Sequence, residues 1–74
     1  MDVTIYTSYG WGPCTLTKSW LKKHNIPYKE ESVEDSAIVS KLLALGFRST
    51  PVIIAGAETI VGYNPKRLSE VFIK

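Results

Sequence analysis

The sequence predicts an α/β fold in which a four-stranded mixed sheet is flanked by helices, with the elements in the order β-α-β-α-β-β-α. Three observations predict it. A β-branched run near the N-terminus precedes an amphipathic segment, which is typical of a strand followed by a helix. Two strand-like runs near the C-terminus flank a Gly-Ala connection, which is typical of an antiparallel hairpin. A crossover helix joins the first two strands, which makes that pair parallel.

The first third of the chain predicts the first strand and the first helix. The run from Asp2 to Thr7 is mostly β-branched and aromatic, which suits a strand with much of both faces covered. A helix is predicted from Pro13 to about His24, with Pro13 at its first position and Asn25 as its terminator. Its predicted apolar face consists of Leu16, Thr17, Trp20 and Leu21.

The middle of the chain predicts a second strand and a second helix. The stretch from Ile26 to Glu31 is a weak strand, since few of its residues strongly favour one. Ser32 with Asp35 three residues later resembles a capping box, and Gly46 marks the end of the helix that follows. Because this helix is broadly apolar, we expect it to be well buried. Its apolar residues are Ile38, Val39, Leu42, Leu43 and Leu45.

The last third of the chain predicts the hairpin and a third helix. The strands Pro51–Ala55 and Glu58–Val61 flank Gly56–Ala57, with glycine at a positive φ. Asn64–Pro65 predicts an N-cap followed by proline at the first helical position. The apolar stripe of this helix consists of Leu68, Val71 and Phe72.

The composition predicts one small domain. The chain has 74 residues, of which 45% are apolar and 22% charged, so we expect a single domain spanning residues 1–74. A net charge of +2 is too small to indicate nucleic acid or an anionic membrane as partner. No apolar run approaches the roughly 20 residues of a membrane span, and the predicted first strand leaves no room for a signal peptide. We expect a monomer in the cytoplasm.

The stretch from Thr7 to Cys14 carries the strongest functional signal. It turns through Gly12 and Pro13 into the predicted helix, so Cys14 lies in the first turn on the side facing the sheet. Helix N-termini favour thiolates, and redox cysteines often lie there. Cys14 is the only cysteine, whereas disulfide exchange within one chain needs two. A lone cysteine is commonly a small buried hydrophobe, but the Gly-Pro approach favours the functional interpretation.

Five segments spread over the chain carry a family resemblance: Val3–Thr7, Trp11–Cys14, Leu45–Phe47, Thr50–Val52 and Gly62–Pro65. In these segments the sequence resembles the short glutaredoxin-like redoxins of the NrdH type. Those redoxins have a thioredoxin-like fold and pass electrons to ribonucleotide reductase. The resemblance implies the same fold here, and thiol–disulfide oxidoreductase chemistry as the ancestral activity.

The resemblance implies roles for the candidate catalytic positions Trp11 and Cys14. The family has Cys-x-x-Cys at this place, where the first cysteine attacks and the second resolves the mixed disulfide. Cys14 matches the resolving cysteine, and Trp11 occupies the position of the attacking one. Gly12 and Pro13 match the Gly-Pro spacer of thioredoxin. Because an indole cannot attack a disulfide, we expect this chain not to run the dithiol cycle.

The resemblance also implies a substrate groove. In the family the peptide bond that corresponds to Thr50–Pro51 is cis and faces the thiol site. The residue at the position of Thr50 offers backbone groups to an extended substrate. Gly62 and Tyr63 belong to a loop that borders this groove, as do Gly12 and Pro13. From the residues alone, Pro51 equally suits the start of an edge strand, and Gly62–Tyr63 suits an ordinary turn.

The sequence departs from the glutathione and metal sites of related proteins. Val61–Asn64 lacks the second glycine and the acid of the Gly-Gly-x-Asp loop of classical glutaredoxins, so strong glutathione binding is not expected. Monothiol glutaredoxins ligate iron–sulfur clusters through the attacking cysteine, which is missing. His24 suits a surface position near a helix C-terminus, and no Cys and His set has metal-site spacing. We expect no metal and no cofactor.

Three functions remain open at this point. The first is a redoxin that transfers electrons from a thioredoxin-reductase-type donor to protein disulfides, with ribonucleotide reductase as the candidate acceptor. The second is a redox-silent module that binds peptides in the groove. The third is a one-thiol redoxin that uses Cys14. Burial of Cys14 under Trp11 predicts an inert thiol, which argues against the third.

Overall fold

The computed structural model describes residues 2–73 and contains four strands and three helices in the predicted order. The strands are β1 (Val3–Thr7), β2 (Lys29–Ser32), β3 (Val52–Ala55) and β4 (Glu58–Val61). The helices are α1 (Gly12–Lys23), α2 (Ser36–Ala44) and α3 (Pro65–Phe72). Within the described residues, none of the helices is long and apolar enough to cross a membrane.

The four strands form one mixed sheet in the order β2-β1-β3-β4. β1 pairs in parallel with β2, where Thr4 lies opposite Lys29. Its other edge pairs antiparallel with β3, where Val3 lies opposite Ala55. The β3–β4 hairpin turns at Gly56, whose φ of +60° is a left-handed conformation that glycine adopts without steric cost. The predicted sheet is confirmed.

Helices α1 and α3 cover one face of the sheet, where their buried residues pack against alternate residues of the strands. The buried cluster on this face consists of Val3, Ile5, Leu21, Ile53, Ala55, Ile60, Leu68 and Val71. The prediction that Leu16 lies on the buried face of α1 is wrong, since this side chain is 52% exposed. The buried stripe of α1 runs instead through Cys14, Thr17 and Leu21, whose three- and four-residue spacing places them above one another on the helix.

Helix α2 covers the other face of the sheet alone. Leu42 packs there against Tyr6 of β1 and Val52 of β3. The prediction that α2 is well buried is wrong: Leu42 is its only fully buried residue, and Leu43 is 53% and Leu45 49% exposed. A short helix that has no neighbouring helix on its face contacts the sheet along one stripe. The residues on its other sides are exposed to solvent even where they are apolar.

The helix ends are set by local hydrogen bonds. Asp35 caps α2, and its carboxylate accepts a backbone N–H of the first turn at 2.9 Å. The predicted Ser32–Asp35 capping box is not formed, because Ser32 ends β2 and lies too early to cap the helix. Asn64 caps α3 as predicted, accepting a backbone N–H at 3.1 Å. Asn25 follows α1 with a left-handed φ of +57°, which confirms it as a terminator.

Candidate functional site

The connection between β1 and α1 forms the base of the candidate site. Gly10 has a φ of +73°, which L side chains rarely adopt, and lets the chain turn sharply into the helix. Trp11 is the N-cap of α1, and its carbonyl accepts two backbone N–H groups of the first turn at 3.0 and 3.1 Å. The Trp11 side chain makes no capping hydrogen bond. Pro13 lies at the second helical position, one later than predicted, because the helix begins at Gly12.

Cys14 is enclosed beneath the first turn of α1. Its side chain is 2% exposed and lies on the same buried stripe as Thr17. The backbone N–H of Ser8 donates to the Cys14 Sγ at 3.4 Å. The Thr17 hydroxyl donates to the Pro13 carbonyl at 2.8 Å, which holds the turn above the thiol. The predicted place of Cys14, on the sheet side of the first turn, is confirmed.

This enclosure predicts slow chemistry at Cys14. We expect an aromatic disulfide reagent near neutral pH to react with the folded protein on the order of a hundredfold more slowly than with the urea-unfolded chain, because reaction requires local opening. Absorbance of the released aromatic thiolate measures both rates. Equal rates in the two states would show that the thiol is open in the folded protein and would favour the one-thiol function.

The loop before β3 meets the β1–α1 connection. The Thr50–Pro51 peptide bond is cis, as the resemblance predicts. The Thr50 hydroxyl forms a 2.8 Å hydrogen bond with the hydroxyl of Ser8, a residue that no sequence pattern singled out. The Trp11 indole N–H donates to the Thr50 carbonyl at 3.2 Å. Since Ser8 contacts both Thr50 and Cys14, the predicted proximity of the cis bond to the thiol is confirmed.

The loop before α3 reaches the same end of the sheet. The Gly62 N–H donates to the Pro51 carbonyl at 2.8 Å, and Tyr63 follows as a partly exposed side chain. The structure therefore brings all the predicted site positions to one end of the molecule: Trp11, Gly12, Pro13, Cys14, Thr50, Pro51, Gly62 and Tyr63. Over the part of the chain that the structure describes, no group of three or more His, Cys, Asp or Glu side chains could hold a metal ion.

A charged cluster that no sequence pattern indicated lies near the carboxyl end of β1. The Glu30 carboxylate accepts the Thr7 hydroxyl at 2.7 Å and pairs with the Lys18 ammonium at 3.0 Å. The hydrogen bond from Thr7 is the main reason that the pKa of Glu30 lies below its ordinary value of 4.5; partial burial opposes this and Lys18 adds to it. Parallel pairing of β1 with β2 is the signal that could have placed Glu30 near Thr7.

The low pKa of Glu30 makes part of the folding stability depend on pH. A carboxylate with a lowered pKa in the folded state stabilises the fold above its unfolded pKa, and this stabilisation is lost as pH falls through the folded pKa. In Thr7→Val we expect the Glu30 pKa to rise towards 4.5 and the gain in stability from acid to neutral pH to shrink. Carboxyl NMR titration and urea unfolding measure the two effects. Thr59→Val, which alters an exposed strand threonine, is the control, and an equal response in both variants would contradict the assignment.

Known proteins are similar to this chain in sequence. The Glutaredoxin family model matches residues 3–60, from β1 into β4. This chain belongs to the glutaredoxin family. The glutaredoxin-like protein NrdH of Lactococcus lactis subsp. cremoris is 30% identical to it over 70 residues, which covers 93% of this chain and 97% of that relative. The predicted resemblance to NrdH-type redoxins is confirmed.

Solved structures share the fold of this glutaredoxin. The glutaredoxin-like protein NrdH-redoxin from Escherichia coli, described as having a thioredoxin-like activity profile, superposes with a TM-score of 0.90 at 28% identity and covers 100% of this chain and 99% of its own. The thioredoxin-like protein BC3987 gives a TM-score of 0.88 at 29% identity, with coverage of 96% and 100%. The predicted thioredoxin-like fold is confirmed, and by family this glutaredoxin is a thiol–disulfide redox protein.

Proposed function

We propose that this chain is a single-domain redoxin, spanning residues 1–74, whose site is built for electron transfer to protein disulfides. A thioredoxin-reductase-type enzyme is the donor in this proposal, and ribonucleotide reductase is the candidate acceptor. In the present form, with one cysteine, the chain does not turn over as a dithiol reductase. The thioredoxin-like activity profile of the Escherichia coli NrdH-redoxin supports the choice of donor.

The N-cap of α1 is the observation that carries the proposal. Dithiol transfer needs an exposed thiolate that bonds to one substrate sulfur and releases the other. A second thiolate then displaces the reduced substrate and leaves the redoxin as a disulfide. Trp11 occupies the exposed position, and Cys14 is enclosed beneath it. The first step therefore has no nucleophile at the surface.

A redox-silent peptide-binding module is the second candidate function. Trp11, which contacts the Thr50 carbonyl, and Tyr63, which follows the Gly62 contact with Pro51, are both partly exposed. They offer apolar area to a partner without any thiol chemistry. The enclosure of Cys14 argues against the third candidate, a one-thiol redoxin.

Insulin disulfide reduction tests the proposal. With either dithiothreitol or NADPH and thioredoxin reductase as the electron source, we expect the chain and its Cys14→Ser variant to give the same background rate. Reduction by the chain above the Cys14→Ser rate would show that Cys14 works alone as a redox thiol. Circular dichroism of both proteins checks that the fold is retained.

A further inference from the structure

The Thr50 carbonyl lies in the loop before β3 and takes no part in the strand pairing of the sheet. Among the described residues its hydrogen-bond donor is the Trp11 indole N–H, at 3.2 Å. The two residues come from distant parts of the sequence, and their contact links the start of α1 to the cis Thr50–Pro51 bond.

The Trp11 side chain can leave this contact without a change of backbone. The Trp11 backbone is held by its N–H, which donates to the Ser8 carbonyl at 3.3 Å, and by its carbonyl, which caps the helix. The side chain is 52% exposed. Rotation between side-chain rotamers, which exposed residues undergo rapidly, therefore uncovers the Thr50 carbonyl while α1 stays in place.

The cleft between Trp11 and Thr50 adjoins a second groove, because the two share lining residues. Ser8, Ser49 and Thr50 line both the cleft and the groove. The apolar floor of the groove includes Leu42, Leu43 and Phe47. A backbone acceptor beside an apolar floor fits an extended peptide, which supplies main-chain N–H groups and alternate apolar side chains. Arg48 also lines the groove, and its positive charge favours a peptide that carries acidic residues.

We propose that the Trp11 indole is an intramolecular competitor for peptide binding. An extended acidic peptide donates a backbone N–H to the Thr50 carbonyl, and the indole N–H must release that carbonyl first. The inference rests on the proposed function, since it concerns the same groove. It assigns to Trp11 a role in controlling access, in addition to the loss of the attacking thiol.

Binding of S-carboxymethylated insulin B chain tests this proposal, because that peptide is unfolded, acidic and without a thiol. We expect Trp11→Phe, which keeps an aromatic ring but has no N–H donor, to bind the labelled peptide roughly threefold to tenfold more tightly than the parent chain. This is the factor that one net hydrogen bond contributes. Trp20→Phe, which changes the other tryptophan, is the matched control and is expected to bind as the parent does. Fluorescence anisotropy of the peptide gives the three Kd values.

Indole NMR of the ¹⁵N-labelled parent gives a second readout. The Trp11 N–H resonance is expected to move to the position of a solvent-exposed indole at saturating peptide, while the Trp20 resonance stays. Equal Kd values for Trp11→Phe and the parent, an unmoved Trp11 resonance, or no binding by any variant would each overturn the proposal. A Trp11 shift that follows protein concentration without peptide would assign the site to a second copy of the chain and would also overturn it. The redoxin function is judged separately, by disulfide formation and reductase activity in Trp11→Cys.

Discussion

Trp11→Cys is expected to give this glutaredoxin a reversible disulfide and a disulfide reductase activity well above that of the parent chain. The introduced thiol would occupy the N-cap of α1, whose side chain faces the N–H groups of the second and third helical residues. The second residue is Pro13, which has no N–H, and the N–H of Cys14 already donates to the carbonyl of residue 11 at 3.0 Å. The helix dipole therefore favours the thiolate form of the attacking group.

A mass measurement and an insulin reduction assay test this expectation. Mild oxidation is expected to remove two hydrogen atoms from the mass of Trp11→Cys and to link the new thiol to Cys14, since residues three apart are neighbours on a helix. The reduced variant is expected to reduce insulin with NADPH and thioredoxin reductase as the electron source. Because Trp11 is half exposed, the substitution is expected to cost less than about 1 kcal/mol of stability.

Trp11→Ser is the matched control, because it removes the same indole and introduces a side chain that is similar in size to cysteine but has no thiol. It is expected to remain at the background rate. A second control, Trp11→Cys with Cys14→Ser, lacks the resolving thiol and is expected to stop at mixed disulfides. If Trp11→Cys folds but forms no internal disulfide and reduces nothing, the site lacks more than its first cysteine. The peptide-binding module would then be the better description.

Leu21→Ala is expected to remove a large part of the folding free energy. Leu21 is 0% exposed and belongs to the cluster between α1 and the sheet. Truncation of a buried leucine costs about 2–5 kcal/mol. A domain of 74 residues has roughly 4–11 kcal/mol of stability at the usual 0.05–0.15 kcal/mol per residue. The variant is therefore expected to unfold at a much lower urea concentration, with part of the population unfolded in buffer.

Leu16→Ala on the same helix is the matched control for this loss. Leu16 is 52% exposed, so its truncation is expected to change stability by no more than about 0.5 kcal/mol. Urea unfolding followed by circular dichroism measures both variants, and an unchanged dependence on urea confirms that the same surface is exposed. Similar losses for Leu16 and Leu21 would show that α1 packs on the sheet through a wider face than the structure shows.

The contrast between these two leucines shows what the sequence could predict. Strands and helices followed from β-branched runs, caps and turn residues, because those signals act over a few residues. Periodicity located α1 and placed Cys14 on its buried side, but it wrongly assigned Leu16 to the same side. Hydropathy ranks side chains and does not determine how the helix is rotated on the sheet. Leu43 was misplaced for a related reason: the composition of α2 does not reveal that this helix is alone on its face.

The sequence likewise predicted some features of the candidate site and not others. Cys14 and the cis Thr50–Pro51 bond were predicted, the second only through the family resemblance. The contact of Trp11 with the Thr50 carbonyl joins residues far apart in the sequence, and no local pattern indicates it. The bridging role of Ser8 depends on the same tertiary approach of two loops.

The central place of β1 in the sheet bears on how this chain acquires its structure. β1 is made first but pairs on one edge with β2 and on the other with β3, so that Val3 lies opposite Ala55. Until β3 is present, one whole edge of β1 has no partner, and Ile5 lacks five of the seven other buried residues of its cluster. Such long-range pairing slows folding and leaves little scope for a stable partial structure. The molecule is expected to fold as a single cooperative unit, with no N-terminal half that survives on its own.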